Sequence, residues 1–104
     1  MAQYVDTGRR EGDIKSKIVK AAKLRGWRQR KMQFVGRRGC PDRWFQRDPG
    51  QLVILEIKDP DGVLSVAQKR EIKWLNDNGF HAHVVDSVQK AIEIFDAWDN
   101  ELLV

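Results

Sequence analysis

Apolar side chains recur at helical spacing in three parts of the chain. In residues 11–25 they fall on one face, with lysines mostly on the others, and Gly26 follows as a typical helix stop. Ser65 can cap a second helix that runs to about Asn78, and Ser87 can cap a third. The faces that these helices would bury are, in order, Ile14, Ile18, Ala21 and Ala22, then Gln68, Ile72 and Leu75, then Val88, Ala91, Ile92, Phe95 and Trp98.

Four further segments have the composition of strands. The predicted strands are 27–35, 43–46, 52–58 and 81–85. The first alternates loosely and has a cationic edge, and Asp48-Pro49-Gly50 joins the second and third as a hairpin turn. The third strand is apolar on both faces as far as Glu56, so we expect it at the centre of the sheet with helices on both sides. The order αβββαβα predicts a single α/β domain over residues 1–104, with a central mixed four-stranded sheet.

Basic residues are concentrated in the first half of the chain, although the net charge is only +4. Residues 1–47 carry 14 Lys and Arg against 4 Asp and Glu, and the remainder carries 5 against 11, so the two parts have charges of +10 and −6. Clustered positive charge of this kind indicates a polyanionic partner. A solvated basic surface without a partner is the alternative.

The composition also limits the class of protein. A length of 104 residues with 41% hydrophobic side chains suits one hydrophobic core. No apolar run approaches the ~18 residues of a membrane helix and the chain begins without a signal-peptide pattern, so we expect a cytoplasmic protein with no membrane partner. The single cysteine, Cys40, allows neither an internal disulfide nor a thiolate zinc site. We expect Cys40 to pack as a small apolar side chain, because no histidine near it in sequence could activate it as a nucleophile.

Glu56 and Lys58 are the first candidates for chemistry. Side chains two apart on a strand point to the same side, so this carboxylate and this ammonium would face one cleft. A charged pair that ends an apolar strand is costly to bury without a use. Taken alone, the two residues are equally consistent with a strand that simply emerges into solvent.

Asp42 begins the preceding strand, and the register of the hairpin decides how close it comes to Glu56. If Asp48-Pro49-Gly50 is a three-residue loop, Asp42 falls opposite Glu56, with the Cβ atoms ~5 Å apart. If Pro49-Gly50 forms a type II turn, Asp42 falls opposite Ile57 and a bulge is needed to bring the carboxylates together. Both registers are compatible with the sequence.

Two carboxylates held this close repel each other unless a cation lies between them. Hard oxygen ligands favour Mg²⁺ or Mn²⁺. Such an ion polarises a phosphoryl oxygen and lowers the pKa of a bound water, which is most of what phosphodiester hydrolysis requires. Lys58 would then hold the attacking water or stabilise the charge that develops on the phosphate oxygens.

Three motifs carry a resemblance to a known family. They are Gly39-Cys40-Pro41-Asp42, Glu56-Ile57-Lys58 and Leu64-Ser65-Val66-Ala67-Gln68. In this order, and over about Glu11 to Phe95, they resemble the VRR-NUC (virus-type replication-repair nuclease) branch of the PD-(D/E)XK nucleases, which stand alone in phages and bacteria. The resemblance implies a restriction-endonuclease-like fold in which Lys58 is the catalytic lysine. The metal ligands that it implies are Asp42, Glu56 and the backbone carbonyl of Ile57.

The resemblance also gives roles to two helical residues. Gln68 matches the glutamine that supports the lysine or the water, and Glu11 matches an acidic residue of the first helix. Glu11 lies three positions before Ile14, which independently places it on the inward face of that helix. For Glu11, an acidic residue favoured by the helix dipole is the alternative.

The function that the resemblance implies is a metal-dependent, structure-selective DNA endonuclease, similar to Holliday junction resolvases that cut branched DNA as homodimers during repair. The alternatives are a flap or single-strand nuclease within a repair complex and a non-catalytic nucleic-acid-binding module. The basic residues expected to contact phosphates are Arg25, Arg28, Arg30, Lys31, Arg37 and Arg38. Arg37 and Arg38 precede Asp42 so closely that their loop must lie near the cleft.

Aromatic and histidine side chains give weaker signals. Trp74 and Trp98 lie on predicted helices, where packing explains them, and the other two tryptophans stay open. His81 and His83 share one strand face without a third ligand, so we expect solvent-facing side chains and no zinc site.

Overall fold

The computed structural model describes residues 11–100, and within them the elements follow the predicted order αβββαβα. The elements are α1 (Glu11–Leu24), β1 (Arg28–Lys31), β2 (Arg43–Arg47), β3 (Gln51–Ile57), α2 (Val66–Asp77), β4 (His81–Val85) and α3 (Val88–Asp99). The predicted α/β class with one mixed sheet is confirmed. The predicted domain also included residues 1–10 and 101–104, which lie outside the described residues. No helix in the described part has the length and apolar character needed to span a membrane.

β3 lies inside the four-stranded sheet, as its composition predicted. The strand order is β1-β2-β3-β4; β1 and β2 are antiparallel, β2 and β3 are antiparallel, and β3 and β4 are parallel. The chain crosses from β3 to β4 through α2, which is the usual connection between parallel strands. Residues 53–57 of β3 are all buried, as expected of a strand that is covered on both faces.

The hairpin between β2 and β3 has a three-residue loop. Arg47 pairs with Gln51 and Arg43 pairs with Leu55, which leaves Asp48-Pro49-Gly50 between the strands. Continuing this register by one residue beyond Arg43 places Asp42 opposite Glu56. Of the two registers that the sequence allows, the structure therefore has the one that brings the two carboxylates together.

β1 is shorter than the predicted strand 27–35. Trp27 is buried in the core before the strand begins, and all four residues of β1 are exposed at the edge of the sheet. After Lys31 the chain leaves the sheet, and the guanidinium of Arg37 lies 5.3 Å from the ring centroid of Phe34. One further backbone hydrogen bond, from the N–H of Met32 to the carbonyl of Asp42 at 3.0 Å, follows β1. The loose alternation over 27–35 therefore predicted a strand that is too long at both ends.

The two faces of β3 pack against different helices. Val53, Leu55 and Ile57 point to one side and join the main core with α1 and α3. Ile54 points to the other side and joins a smaller cluster with α2 and β4. Because side chains alternate along a strand, Glu56 belongs to the α2 side of the sheet. The helical residues of the main core are Ile14, Ile18, Ala22, Ala91 and Phe95.

The helix ends agree with the capping residues. The hydroxyl of Ser65 accepts a hydrogen bond from the backbone N–H of Gln68, and the side chain of Gln68 accepts one from the backbone N–H of Ser65. The hydroxyl of Ser87 accepts from the backbone N–H of Lys90 at the start of α3. Gly26, two residues after the end of α1, has a φ of 85°, in the left-handed region that favours glycine at a helix end.

The packing interpretation holds for Trp98 and is wrong for Trp74. The rings of Trp27 and Trp98 meet edge to face with centroids 5.8 Å apart, beside Phe95 in the main core. Trp74, by contrast, is 56% exposed, because α2 buries Glu71 and Leu75 and leaves the indole at the surface.

The two strand histidines are half-buried, so the expectation of solvent-facing side chains was wrong. His83 pairs with Leu55 across the parallel strands, which puts it on the side of the sheet that packs on the main core. The ring of His81 meets Trp98 of α3 edge to face at 5.0 Å. Burial lowers the pKa of His83, and the nearby His81 lowers it further.

Candidate active site

The β2–β3 hairpin and its register position the three residues that the sequence singled out. Asp42 directly precedes β2, Glu56 is the penultimate residue of β3, and Lys58 follows the strand. The backbone N–H of Lys58 donates to the carbonyl of Val85 at 2.9 Å, which keeps it in line with the parallel pair. Its ammonium lies 3.5 Å from Oε2 of Glu56, so the predicted carboxylate and ammonium do face the same side.

Glu56 is a buried acid in the field of another acid. Its relative exposure is only 5%. Burial raises the pKa of Glu56, the charge of Asp42 raises it further, and the charges of Lys58 and Lys15 partly oppose this shift. The charge of Asp42 thus disfavours the ionised form of Glu56. A titratable group perturbed by burial and by a specific charge is typical of functional sites.

Lys15 of α1 is a site residue that sequence reasoning missed. Its ammonium lies 2.6 Å from Oδ2 of Asp42 and 3.2 Å from Oε2 of Glu11. Burial opposes the charged form, but the hydrogen bonds to Asp42 and Glu11 outweigh it and raise the pKa of Lys15. Oδ2 of Asp42 is closed off from solvent, and the ammonium of Lys15 is the cation that faces it.

Glu11 reaches the site only through Lys15. It is the first described residue of α1, and its side chain is 39% exposed. The spacing of four residues between Glu11 and Lys15 is the usual spacing of a helical ion pair, and that was the signal in the sequence. This contact supports a place for Glu11 beside the site, and its role stays a prediction.

Gln68 joins α2 to the buried carboxylate. Its side-chain Nε2 donates to Oε2 of Glu56 at 3.2 Å, while its Oε1 accepts from the backbone N–H of Ser65 at 2.8 Å. The same amide thus caps the helix and holds the acid. The predicted partners of Gln68 were the lysine or a water, whereas the structure shows it bonded to Glu56.

The Gly-x-Pro-Asp motif has a steric basis at its first residue. Gly39 has a φ of +90°, and a Cβ added there would lie 2.5 Å from the carbonyl oxygen of Ala67. Glycine therefore lets the loop before Asp42 approach the first turn of α2. The same loop is tied to α2 one turn later, where Arg37 pairs with Glu71 at 3.0 Å. Glu71 is 8% exposed, so the carboxylate of this ion pair is largely shielded from solvent.

Cys40 lies among acidic groups and is held as a thiol. Burial raises the pKa of Cys40, a backbone hydrogen bond at Phe34 opposes this, and the charges of Glu71, Glu56 and Asp42 raise the pKa further. Its Sγ donates to the carbonyl of Pro41 at 3.4 Å. A thiol with a raised pKa is a poor nucleophile, in keeping with a packing role.

The donors around Asp42 and Glu56 fit a hard divalent cation. Both carboxylates supply oxygen, which Mg²⁺ and Mn²⁺ prefer, and their mutual repulsion is what a bound cation relieves. Within residues 11–100, no three His, Cys, Asp or Glu side chains cluster closely enough to hold a metal by themselves. A metal here would rest on Asp42 and Glu56, with the carbonyl of Ile57, water or a phosphate oxygen completing its ligands.

The basic residues separate into several environments. Arg28 and Arg30 of β1 lie on the α2 side of the sheet, because Arg30 pairs with Trp44 and Trp44 pairs with Ile54. This is the side that carries Glu56. Arg30 donates to Gln46 at 2.8 Å and remains exposed.

Lys31 is also exposed, but it lies on the opposite side of β1. Arg25 is half-buried and bonded to Asp96 at 3.0 Å and to the carbonyl of Ala21, so the structure gives it an intramolecular role. Arg37 and Arg38 lie in the loop before Asp42, which packs against α2 at Ala67 and Glu71. Their contact with phosphates stays a prediction.

The fold is α/β, and the acid–lysine centre lies at the end of its central strand β3. The fold is that of a VRR_NUC domain: a solved structure of that description superimposes with a TM-score of 0.73 at 23% sequence identity, over 86% of this chain and 97% of that one. No protein-family model and no curated protein sequence matches the chain. The likeness is one of fold, and it confirms the fold that the three motifs predicted.

Proposed function

We propose that this protein is a metal-dependent endonuclease that hydrolyses DNA phosphodiesters, and that it belongs to the VRR-NUC nucleases. The observation that carries the proposal is Glu56, a buried carboxylate that faces the charge of Asp42 and has the ammonium of Lys58 at 3.5 Å. Glu56 and Lys58 at the end of the apolar strand β3, with Asp42 opposite, directly before β2, place charge where burial costs stability. Packing of the fold alone gives no reason for that cost.

The side chains divide the chemistry between them. When bound, a divalent ion supplies Lewis-acid polarisation of the phosphate and a more acidic water. Asp42, Glu56 and the carbonyl of Ile57 would hold that ion. Lys58 would orient the attacking water or stabilise charge on the phosphate oxygens, and the hydrogen bond from Gln68 keeps Glu56 in one orientation.

Contacts to the DNA backbone would come from cations on the same side of the sheet as Glu56. Arg28 and Arg30 lie there, and the loop with Arg37 and Arg38 borders the same centre. Phosphate contacts of this kind fix the position of DNA without reading its sequence. Lys31, on the other side of β1, would reach only a strand that passes around the sheet edge.

Branched DNA is the substrate class that we propose, with a homodimer as the active form. A domain of this size offers a small surface for duplex DNA, and a two-fold pair would double it and place two sites for paired cuts. The domain would act in DNA repair in the cytoplasm of a bacterium or of a phage-infected cell. These finer points rest on the resemblance of the motifs.

The test is cleavage of labelled four-way junction, flap and linear duplex DNA, with Mg²⁺ or Mn²⁺ and with EDTA. Wild type is compared with Lys58→Ala, which should lower turnover by about 10²-fold or more while DNA affinity stays nearly the same. Lys17→Ala, an exposed lysine of α1, is the matched control. Cleavage by Lys58→Ala at the wild-type rate contradicts the proposed centre.

Substrate choice separates the candidate activities. Paired symmetrical cuts in the junction alone support a dimeric resolvase, and cutting confined to the flap supports the alternative of a flap nuclease. DNA binding without cleavage of any substrate, under every metal condition, supports the non-catalytic binding module instead.

A further inference from the structure

A pocket of about 450 Å³, open to solvent, lies between one face of α2 and the loop before Asp42. It is lined by Arg37, Arg38, Ala67, Arg70, Glu71 and Trp74. The four helical residues are spaced three and four apart, so their side chains point to the same side of α2. The volume falls in the range of roughly 300–1,000 Å³ that is typical of sites for small organic groups.

Trp74 forms the apolar wall of this pocket. Its indole is 56% exposed, and Phe80 lies beside it with the rings 21° from parallel and 6.5 Å between centroids. The contact with Phe80 restricts the orientation of the indole. An exposed indole offers a flat face on which any of the nucleobases can stack, so such binding does not depend on DNA sequence.

Positive charge forms the rest of the lining. Three arginines stand against one acid, Glu71, which is paired with Arg37 at 3.0 Å. Arg38 and Arg70 are exposed, so their guanidinium groups are accessible to a ligand. A planar guanidinium matches the geometry of phosphate oxygens, and cations next to an aromatic face are the combination that single-stranded nucleic acid requires.

The pocket adjoins the catalytic centre through α2. Gln68, which donates to Glu56, lies in the helical turn between Ala67 and Glu71. A turn of α-helix rises about 5.4 Å, so the Gln68 amide and the pocket residues Ala67 and Glu71 lie within about one turn of α2. The backbone of Gly39 against Ala67 fixes the arginine loop at the same place.

We propose that this pocket binds an unpaired nucleotide of the DNA substrate, with its base stacked on Trp74 and its phosphates held by Arg38 and Arg70. The inference rests on the proposed function and deepens it, because within branched DNA it selects substrates with a single-stranded segment next to the bond that is cut, such as a flap, over a fully paired four-way junction. Bases within an intact duplex are already stacked on one another, so blunt duplex DNA cannot use Trp74.

A second copy of this chain is a poorer occupant of the pocket. A two-fold contact through this face would bring the same patch of both copies together, including Arg38 and Arg70. Like charges placed against each other oppose such a contact. The polyanionic backbone of DNA has the opposite charge, and this complementarity favours it.

The test is DNA binding in EDTA, measured by fluorescence anisotropy with a labelled duplex that carries a short unpaired tail and with a blunt duplex. Trp74→Ala should weaken binding of the tailed DNA by about tenfold and leave the blunt duplex within about twofold. Trp74→Phe should keep most of the affinity for the tail, since it retains an aromatic face. Arg70→Ala should weaken the tailed DNA and lower its salt slope by about one.

Lys73→Ala is the matched control, because Lys73 is exposed on the same helix but paired with Asp77 at 2.6 Å. Its affinities should equal those of wild type. Equal loss on both DNAs for Trp74→Ala, or no loss on either, overturns the proposal. Conversion of a dimer to a monomer by Trp74→Ala, with the preference for the tail unchanged, also overturns it and assigns the patch to a second copy.

Binding in EDTA does not depend on cleavage, so the two proposals can fail separately. A protein that cuts no DNA but prefers the tail through Trp74 disproves the nuclease and retains the pocket. A protein that cuts DNA with a substrate preference independent of Trp74 retains the nuclease and disproves the pocket.

Discussion

Nε2 of Gln68 donates a hydrogen bond to Oε2 of Glu56 across 3.2 Å, from the first turn of a helix to the end of a central strand. The ammonium of Lys58 lies 3.5 Å from the same oxygen. One carboxylate oxygen is thus held by an amide from α2 and by the ammonium of the residue that follows β3. This arrangement leaves Glu56 little freedom to rotate, which is what a metal ligand requires.

Gln68→Glu should lower turnover by about 10–100-fold, the usual cost of losing a group that orients a metal ligand. The new carboxylate can still accept from the backbone N–H of Ser65 and keep the helix cap, but it cannot donate to Glu56. Initial rates at saturating DNA check this, with circular dichroism to confirm that α2 is intact. Wild-type turnover in this variant would show that the hydrogen bond has no part in catalysis.

Lys15→Met should make the protein depend more strongly on a divalent cation. Removing the ammonium leaves Asp42 facing Glu56 without its nearest counter-charge, at a cost on the order of 1–3 kcal/mol in the absence of metal. Thermal midpoints are measured in EDTA and in Mg²⁺ or Mn²⁺, and the gain from metal should exceed that of wild type. Lys17→Met, on the same helix but exposed, is the control. An unchanged gain in Lys15→Met would separate Lys15 from the proposed metal site.

Gly39→Ala should destabilise the fold by more than Gly36→Ala. Both glycines have positive φ, at +90° and +78°, so both substitutions strain the backbone. Only at Gly39 does the new Cβ meet the backbone of Ala67, at 2.5 Å, whereas nothing lies within 4 Å at Gly36. Urea unfolding should show a difference of about 1–3 kcal/mol between the two variants. Equal losses would mean that the loop can shift away from α2 without cost.

His83 should make the stability fall as the pH drops below neutrality. Its pKa is lowered in the folded protein by burial and by His81, and its Nε2 is buried without a hydrogen-bond partner in the described part of the chain. The contribution of neutral His83 to the free energy of unfolding is complete above the pKa that this histidine has in the unfolded chain. It is lost as the pH falls toward the lower pKa of the folded state, because the unfolded chain binds the proton first.

His83→Gln removes that titration and is the variant to compare with wild type. Between pH 7.5 and pH 5, its thermal midpoint should decline less than that of wild type. The acidic groups of the two proteins are the same, so their effect cancels in the difference. Parallel curves over this range would assign the acid sensitivity to other groups.

The order of elements followed from the sequence because its signals are local. The caps Ser65 and Ser87 and the turn Asp48-Pro49-Gly50 each act within a few residues. The hairpin register was open, because the choice between a three-residue loop and a two-residue turn depends on backbone geometry that composition does not specify. Lys15 could not be foreseen, since its contact with Asp42 depends on how α1 packs on the sheet.

Surface and buried side chains on the same element were harder to separate. Trp74 has the spacing of a packed helical residue. The buried residues of α2 are Glu71 and Leu75, however, and Trp74 lies beside that buried face at the surface. His81 and His83 were expected in solvent because nothing in the strand itself indicates that α3 covers that face. In both cases the burial of the side chain depends on how a neighbouring element packs, and the sequence of one segment does not contain that information.

The reciprocal bonds between Ser65 and Gln68 set the direction of the Gln68 amide inside the first turn of α2. Lys58 is held by its bond to Val85, but the segment between Lys58 and Ser65 has only to connect the strand to the helix. Its length is free to change as long as the helix start stays in place. Proteins that share this site can therefore differ by insertions there, and a fixed separation of 12 residues between Glu56 and Gln68 is a poor criterion for aligning them. A search pattern with a variable gap before Ser-x-x-Gln follows the physical constraint.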